Sequence, residues 1–303
     1  MPLRLATRSS PLALWQAEHV AGLLRSFHPG LKVELVQVTT TGDRRSDIPV
    51  WEMGGRGVFV REVQSALLSG EADAAVHSAK DLQPVPAPGI CLAAVPPRGD
   101  PRDVLVGSTL SALRVSATVA TGSQRRRAQL AWLRPDLKFQ SLRGNIGTRL
   151  SRVPEGGAIV VAWAALSRLG LTPEPMEVLG TDKMLPQVAQ GALAIECRAD
   201  DVAQLELLAP VNDRAARQAV DAERAFLATV GGACDLPVAG YATAPSDGEL
   251  HLEGLLAAPD GSALVRCGST GRPEMAAELG REVAEMVLAN GGQELLAARL
   301  AHP

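Results

Sequence analysis

LRLATRSSPLALWQAEHVAGLLRSFHPGLKVELVQVTT, residues 3–40, carries the pattern that decides the fold. Its first and last segments, LRLAT and KVELVQVTT, are short apolar runs typical of strands, and an amphipathic helix separates them. Serines open that helix, and Pro11 suits its first position because the first helical N–H groups have no intrahelical partner. A strand, a helix and a second strand in this order predict an α/β lobe built on a parallel sheet.

The same alternation continues and is interrupted twice. The Pro/Gly-rich AVPPRGDPRD, residues 94–103, is a candidate hinge, after which strands and helices alternate again as far as KMLPQVAQGA. From about residue 213 a long helix and three strand-like runs indicate a small α+β domain. We therefore predict an α/β fold with two doubly wound lobes around a hinged cleft, plus a small C-terminal α+β domain. The predicted boundaries are 1–96 with 192–212, 97–191, and 213–303.

Bulk composition narrows the function classes. The 303 residues carry a formal net charge of −3, and a pI near 6.0 argues against a general nucleic-acid binder, whose surface is broadly basic. Residues 1–15 lack the apolar core of a signal peptide, and no segment has the uncharged length of a membrane span, so we expect a cytoplasmic protein without a membrane partner. The four cysteines show no CxxC spacing and no paired histidine, so we expect no metal site.

Arginines gather where strands pass into helices. In VATGSQRRRAQL, residues 119–130, Ser123 has the position of an N-cap, and three arginines fill the first helical turn. That turn is the positive end of the helix macrodipole, so cations there cost stability unless an anion is present. SLRGNIGTRL, residues 141–150, repeats the arrangement around the probable N-cap Asn145, and Arg8 precedes the first helix. We therefore predict a site for a ligand with several carboxylates or phosphates.

Two further polar positions each allow two interpretations. Asp81, in HSAKD at the carboxyl end of a strand, either handles a cation or a proton of a ligand or forms an ion pair with Lys80 or a nearby arginine. Cys234, in GGACDLP at a helix-to-strand turn, is either an accessible nucleophile or attachment point or one more reduced structural thiol. The residues alone leave both alternatives open.

Taken together, the motifs are similar to those of the porphobilinogen deaminase family. The resemblance is collinear from Leu3 to about Ala242 and rests on RLATRSSPLALWQA, TTTGDRRSD, GGRGVFVREVQSALL, AVHSAKDLQ, DPRDVLV, TGSQRRRAQL, RPDLKFQSLRGNIGTRL, QGALAIECR and ERAFLATVGGACDLPVAGYA.

The resemblance implies a fold, a reaction and a cofactor. Family members have two lobes similar to type II periplasmic binding proteins. They join four porphobilinogen molecules into the linear tetrapyrrole hydroxymethylbilane and release ammonia at each addition. The chain of rings grows on a dipyrromethane cofactor held by a thioether, which the match assigns to Cys234. The resemblance further implies a monomeric transferase whose partner is the small molecule porphobilinogen.

The resemblance also implies roles for individual residues. Asp81 corresponds to the catalytic aspartate, which stabilises the cationic azafulvene left when ammonia departs. The implied residues for binding the cofactor and substrate are Arg8, Ser10, Phe59, Ser78, Lys80, Thr121, Ser123, Arg125, Arg126, Arg143, Gly144, Arg149, Arg168, Gln190 and Gly191.

Some positions depart from the family pattern, and two other functions compete. Glu52 and Arg56 stand where lysines are common, in a 47–60 segment that has the composition of a mobile lid, and Gly122 replaces a serine. A solute-binding protein with the same lobes would bind its anion reversibly and form no covalent adduct. A nucleic-acid binder would need a strongly salt-dependent association, which the acidic pI disfavours.

Overall fold

The computed structural model describes residues 1–44, 57, 59–231, 237–244 and 248–301. Cys234, Glu52, Arg56 and most of the predicted 47–60 lid lie outside these residues. The chain divides into two compact units. The first comprises Met1–Gly99, Arg168–Gly170 and Gly191–Arg217, and the second comprises Asp100–Ser167, Leu171–Gln190 and Gln218–Pro303.

The first unit contains a five-stranded sheet in the order β2-β1-β3-β10-β4. Its strands are β1 (Leu3–Arg8), β2 (Val33–Val38), β3 (Ala74–Ser78), β4 (Ile90–Ala94) and β10 (Leu193–Arg198). Its helices are α1 (Pro11–Phe27), α2 (Thr41–Arg44), α3 (Arg61–Leu68) and α7 (Val202–Leu208), and a 3-10 turn (Ala79–Asp81) follows β3. Side chains alternate across this sheet: Leu5 faces the core formed with α1, and Ala6 faces the core formed with α3. This two-sided burial is the physical basis of the predicted doubly wound lobe.

The second unit contains a second five-stranded sheet in the equivalent order β7-β6-β8-β5-β9. Its strands are β5 (Asp103–Val106), β6 (Thr118–Ala120), β7 (Lys138–Gln140), β8 (Ala158–Ala162) and β9 (Met176–Leu179). Its helices are α4 (Gln124–Leu133), α5 (Ile146–Leu150) and α6 (Trp163–Arg168). Leu105 packs on the α4 side and Val104 on the α6 side, so this sheet is also covered on both faces.

Residues beyond 213 form the third, antiparallel sheet and its helices. The strands are β11 (Val238–Thr243), β12 (Leu250–Ala257) and β13 (Leu264–Gly271), and the helices are α8 (Arg214–Thr229), α9 (Ala276–Val287) and α10 (Gln293–Ala301). Phe226 of α8 is fully buried against Gly254 of β12, where any side chain would collide with its ring. Ala128 of α4 shares a core cluster with Leu255 of β12, which joins this layer to the second sheet in one compact unit.

The predicted fold class, two α/β lobes with a small C-terminal α+β domain, is confirmed. The expectation that the two large sheets are parallel is wrong, because one strand in each runs against its neighbours. β10 is antiparallel to β3 and β4, and β5 is antiparallel to β8 and β9. The structure groups residues 218–303 with the second sheet, and the division into three domains stays a prediction. No helix among the described residues is long and apolar enough to cross a bilayer.

Candidate functional site

The predicted residues of the first unit gather at one sheet edge. β1 and β3 are neighbouring parallel strands, so Arg8 at the end of one and Ser78 at the end of the other lie on the same edge. Ser10 caps α1, as predicted, and its hydroxyl accepts a hydrogen bond from the Ala13 N–H at 3.3 Å. The carboxyl ends of parallel strands thus collect these polar groups in the way that α/β folds build ligand sites.

Gln16 holds Ser78 in place, and this contact was not predicted from the sequence. The Gln16 side chain is buried, and its Nε2 donates to Ser78 Oγ at 2.9 Å. The Ser78 hydroxyl also lies 3.2 Å from Gln16 Oε1. Helix α1 is therefore tied to the turn that follows β3. A polar residue on the apolar face of α1, between Ala13 and Val20, was the signal that pointed to such a contact.

Asp81 ends the 3-10 turn after β3 and is half-buried, as is Lys80 beside it. No hydrogen bond or ion pair joins the Asp81 carboxylate to another residue in the described part of the chain. Within the described residues no ion pair of Asp81 with Lys80 or an arginine is formed, and the catalytic assignment of this carboxylate stays a prediction.

Arg8 and Phe59, which the resemblance implied separately, are in contact. The Arg8 guanidinium carbon lies 4.3 Å from the centroid of the Phe59 ring, within the range of a cation–π interaction. The ring itself packs so closely on Gly42 that a side chain there would overlap it. The aromatic ring therefore fixes one face of the guanidinium.

Arg168 is a half-buried cation in the first unit. Its Nη2 donates to the Gly191 carbonyl at 2.6 Å, and its guanidinium carbon lies 5.7 Å from the Trp15 ring centroid. Burial lowers the pKa of Arg168 to about 10. No carboxylate of the described residues pairs with it. A guanidinium in such a place is stabilised by an anionic ligand.

Two turns of the second unit lie side by side. β6 and β7 are parallel neighbours, so the turns that lead into α4 and α5 share one sheet edge. The predicted N-caps are confirmed: Ser123 Oγ accepts from the Arg126 N–H at 3.4 Å, and Asn145 Oδ1 accepts from the Thr148 N–H at 2.9 Å. A Cβ at Gly122 would lie 2.6 Å from the Leu142 carbonyl oxygen. The departure to glycine at this position thus allows the close approach of the two turns.

The first anion at the α4 N-terminus belongs to the protein itself. Asp103 is fully buried, and its Oδ2 accepts from Arg125 Nη2 at 2.7 Å. Its Oδ1 accepts from Arg126 Nη2 at 2.8 Å and from Gln190 Nε2 at 2.9 Å. The role of Asp103 as acceptor for these side chains was not predicted, because Asp103 ends the Pro/Gly-rich segment interpreted as a hinge. Thr121, also buried, supports the same turn by accepting from the Ser123 N–H at 3.2 Å.

Asp103 neutralises only part of the positive charge around it. Two guanidinium groups and one carboxylate leave the cluster with a net charge of +1. Burial alone would raise the pKa of Asp103, but Arg125, Arg126 and Gln190 together lower it to about 2, so the carboxylate is ionised at neutral pH. Arg125 is only 4% exposed, and its Nε has no hydrogen-bond partner among the described residues. A buried donor without an acceptor is costly unless a ligand or water supplies one.

Gly144 shapes the turn that carries Arg143 and Arg149. Its φ of +110° lies in the region that favours glycine, and a Cβ there would come within 2.7 Å of Thr148 Cγ2. The Gly144 carbonyl accepts from Arg149 Nε at 2.8 Å. Arg143 is half-buried in the same turn. The conformation of one glycine therefore sets the positions of two predicted anion-binding side chains.

Replacing Gly144 with alanine is expected to destabilise the protein by roughly 1–3 kcal/mol, because strain at a positive φ adds to the overlap with Thr148. Urea unfolding measures the loss. Gly147→Ala is the matched control, because a Cβ there meets only Asn145 Oδ1 at 3.6 Å and helix α5 gains an alanine. Equal stability of the two variants would contradict the prediction.

Two family models match the chain. The porphobilinogen deaminase dipyrromethane cofactor binding domain matches residues 3–206, and the porphobilinogen deaminase C-terminal domain matches residues 217–289. The chain belongs to the porphobilinogen deaminase family. The predicted function as a porphobilinogen deaminase, a transferase of tetrapyrrole biosynthesis, and the predicted dipyrromethane cofactor are thereby confirmed.

Among solved structures, the reduced OxyR regulatory domain from Pseudomonas aeruginosa is 15% identical, with a TM-score of 0.40, and the match covers 69% of this chain and 95% of that one. A BenM effector-binding domain with benzoate is 14% identical, with a TM-score of 0.41, and the match covers 76% and 94% of the two chains. At these scores the likeness carries no argument about the deaminase's ligands.

The residues of this deaminase fit a dipyrromethane group. Each ring of dipyrromethane carries an acetate and a propionate, and a buried guanidinium N–H such as Arg125 Nε, which has no acceptor among the described residues, suits a carboxylate of that kind. Cys234 itself lies outside the described residues, in the segment between the end of α8 at Thr229 and the start of β11 at Val238.

Proposed function

We propose that the deaminase acts as a hydroxymethylbilane synthase in which Asp81 is the catalytic carboxylate and Cys234 is the cofactor attachment site. The observation that carries the proposal is the Asp81 carboxylate, which lies at the edge of the first sheet without an ion pair to any described residue. A carboxylate that has no ion pair among the described residues and follows Lys80 in the same turn suits a substrate on which positive charge develops.

Asp81 has two tasks in each addition. The C–N bond of the protonated aminomethyl group of porphobilinogen (–CH2–NH3⁺) breaks with its electron pair going to nitrogen, and neutral ammonia leaves. Positive charge then spreads over the pyrrole ring, and an ionised carboxylate near the ring N–H stabilises it. The new C–C bond releases a proton from the attacking pyrrole carbon, and Asp81 accepts it. The sum is one C–C bond formed and one ammonia released per unit added.

The arginines bind and orient the rings. Guanidinium groups form paired hydrogen bonds with carboxylates, which fixes orientation as well as charge. In the second unit these donors come from the α4 and α5 turns, and in the first unit from Arg8, Lys80 and Arg168. When bound, dipyrromethane supplies the pyrrole carbon at which the chain of rings begins. The thioether to Cys234 would anchor the other end of the cofactor, so that the growing chain would stay attached through all four additions.

The reaction with porphobilinogen tests the proposal. Purified protein incubated with porphobilinogen is expected to release one ammonia per porphobilinogen consumed and to form hydroxymethylbilane, measured by an ammonia assay and by product absorbance. The solute-binding alternative predicts reversible uptake of porphobilinogen with no ammonia. Uptake without ammonia release, at saturating substrate, would overturn the assignment of Asp81 and of the reaction.

We also propose that the enzyme is a cytoplasmic monomer that binds neither nucleic acid nor membranes. The support is the composition of the chain, with its acidic pI of about 6.0 and a formal net charge of −3. Light scattering at the assay concentration tests the monomer, and a salt-dependent shift with DNA or RNA would contradict the absence of nucleic-acid binding.

A further inference from the structure

The cluster around Asp103 immobilises each of its cations at two ends. Arg125 Nη2 donates to Asp103, and its Nη1 donates to the Leu185 carbonyl at 2.7 Å. Arg126 is held in the same way, by Asp103 at Nη2 and Nε and by the Val160 carbonyl at 2.9 Å from Nη1. A guanidinium fixed at both ends has one orientation rather than several rotamers.

Gln190 joins the same carboxylate from a distant part of the chain. Its Nε2 donates to Asp103 Oδ1 at 2.9 Å and to the Pro101 carbonyl at 2.7 Å. The three side chains on Asp103 come from positions 125, 126 and 190, and each is among the predicted binding residues. Asp103 itself belongs to no motif position to which the resemblance assigned a role.

We propose that Asp103 is a positioning residue that preorganises Arg125, Arg126 and Gln190 as one anion-binding group. The inference rests on the binding roles proposed for those three residues. Asp103 balances one of two like charges that would otherwise repel each other in a buried place, and it leaves a net charge of +1 for an incoming carboxylate. Arg125 Nε is the donor of the group that has no acceptor among the described residues.

The other end of α4 provides a matched control. Arg134 donates from Nε and Nη2 to the two Asp136 oxygens, at 2.7 Å each, and from Nη1 to the Leu110 carbonyl at 2.7 Å. The chemistry is the same as at Asp103, but this pair is half-buried, has one cation for one anion, and includes no predicted binding residue. A purely structural ion pair is thus present on the same helix.

The test compares Asp103→Asn, Asp103→Glu and Asp136→Asn in the full-length protein. Intact mass gives the fraction carrying the cofactor adduct, kinetics give kcat and KM for porphobilinogen, and thermal unfolding gives Tm.

In Asp103→Asn we expect adduct occupancy to fall by at least about tenfold, because both guanidinium groups lose their shared anion. Asp103→Glu keeps the charge and is expected to recover occupancy, with kcat/KM lower by about tenfold from misplacement of the donors. Asp136→Asn is expected to keep full occupancy and kcat/KM within about twofold.

The proposal is overturned if Asp103→Asn retains full adduct occupancy and kcat/KM. It is also overturned if Asp136→Asn, with the same Tm as Asp103→Asn, loses as much adduct occupancy and kcat/KM as that variant does. Should Asp103→Asn fail to fold, Gln190→Met decides the matter. It removes one donor from Oδ1 but keeps both ion pairs, and a KM raised by about tenfold supports the proposal while an unchanged KM overturns it. If the unsubstituted protein releases no ammonia from porphobilinogen, the proposed function fails instead.

Discussion

A Cys234→Ser variant is expected to show only the bare polypeptide mass after denaturation, even after incubation with porphobilinogen. The unsubstituted protein is expected to show an excess mass of two linked pyrroles. The physical reason is that thioether formation requires a thiolate, and a serine hydroxyl ionises far too weakly to replace it. Without an anchored first ring, turnover should fall to background, so the same sample should release no ammonia.

The other thiols provide the controls for this result. Cys91 and Cys197 lie opposite each other on β4 and β10, and Cys267 lies on β13. Burial and the neighbouring Cys91 raise the pKa of Cys197 to about 12, so it is a poor nucleophile at neutral pH. Cys267→Ser is therefore expected to keep the adduct mass and turnover. An adduct that persists in Cys234→Ser and disappears in Cys267→Ser would show that Cys267, not Cys234, is the attachment site.

An Asp81→Asn variant is expected to keep the covalent adduct and lose most of its turnover. An amide cannot offset the positive charge that develops on the pyrrole ring or accept the released proton, so kcat should fall by roughly 10²–10⁴-fold. Adduct occupancy by intact mass and kcat from ammonia release separate the two effects. Since the Asp81 carboxylate holds no described side chain, the variant should unfold at nearly the same temperature as the unsubstituted protein.

Asp73→Asn controls for the loss of a carboxylate next to the same strand. Asp73 immediately precedes β3, at the end opposite the turn that carries Asp81, and pairs with Arg4, whose Nη2 donates to it at 2.6 Å. This substitution should lower stability somewhat, because the pair is partly buried, and leave kcat unchanged within about twofold. Near-normal kcat in Asp81→Asn would remove Asp81 from the mechanism.

The sequence predicted local features of this fold well, because their causes are local. Ser10, Ser123 and Asn145 each cap the helix that the pattern assigned to them, since a cap needs only a short polar side chain just before the helix. The alternation of strands and helices was likewise predicted from the periodicity of apolar residues. The family motifs then supplied the residues of the site, which composition and spacing alone left as alternatives.

What the sequence did not predict depends on contacts between distant residues. A short apolar run carries no information on strand direction, so the antiparallel β5 and β10 were missed. The partners of Asp103 lie 22, 23 and 87 positions away, and no periodicity connects them. The contact of Gln16 with Ser78 spans 62 positions and was hidden for the same reason.

The strand order also determines when each sheet can close during translation. β10 lies between β3 and β4, so the ribosome must deliver Arg198 before the first sheet is complete, whereas the second sheet is complete at Leu179. At bacterial or eukaryotic elongation rates this gap of 19 residues lasts roughly 1–4 s. Until then β3 exposes an unpaired edge, and β4 has no strand to pair with. Of the two five-stranded sheets, the one encoded first is thus finished second, and nascent chains stalled before residue 193 should be the ones that chaperones bind.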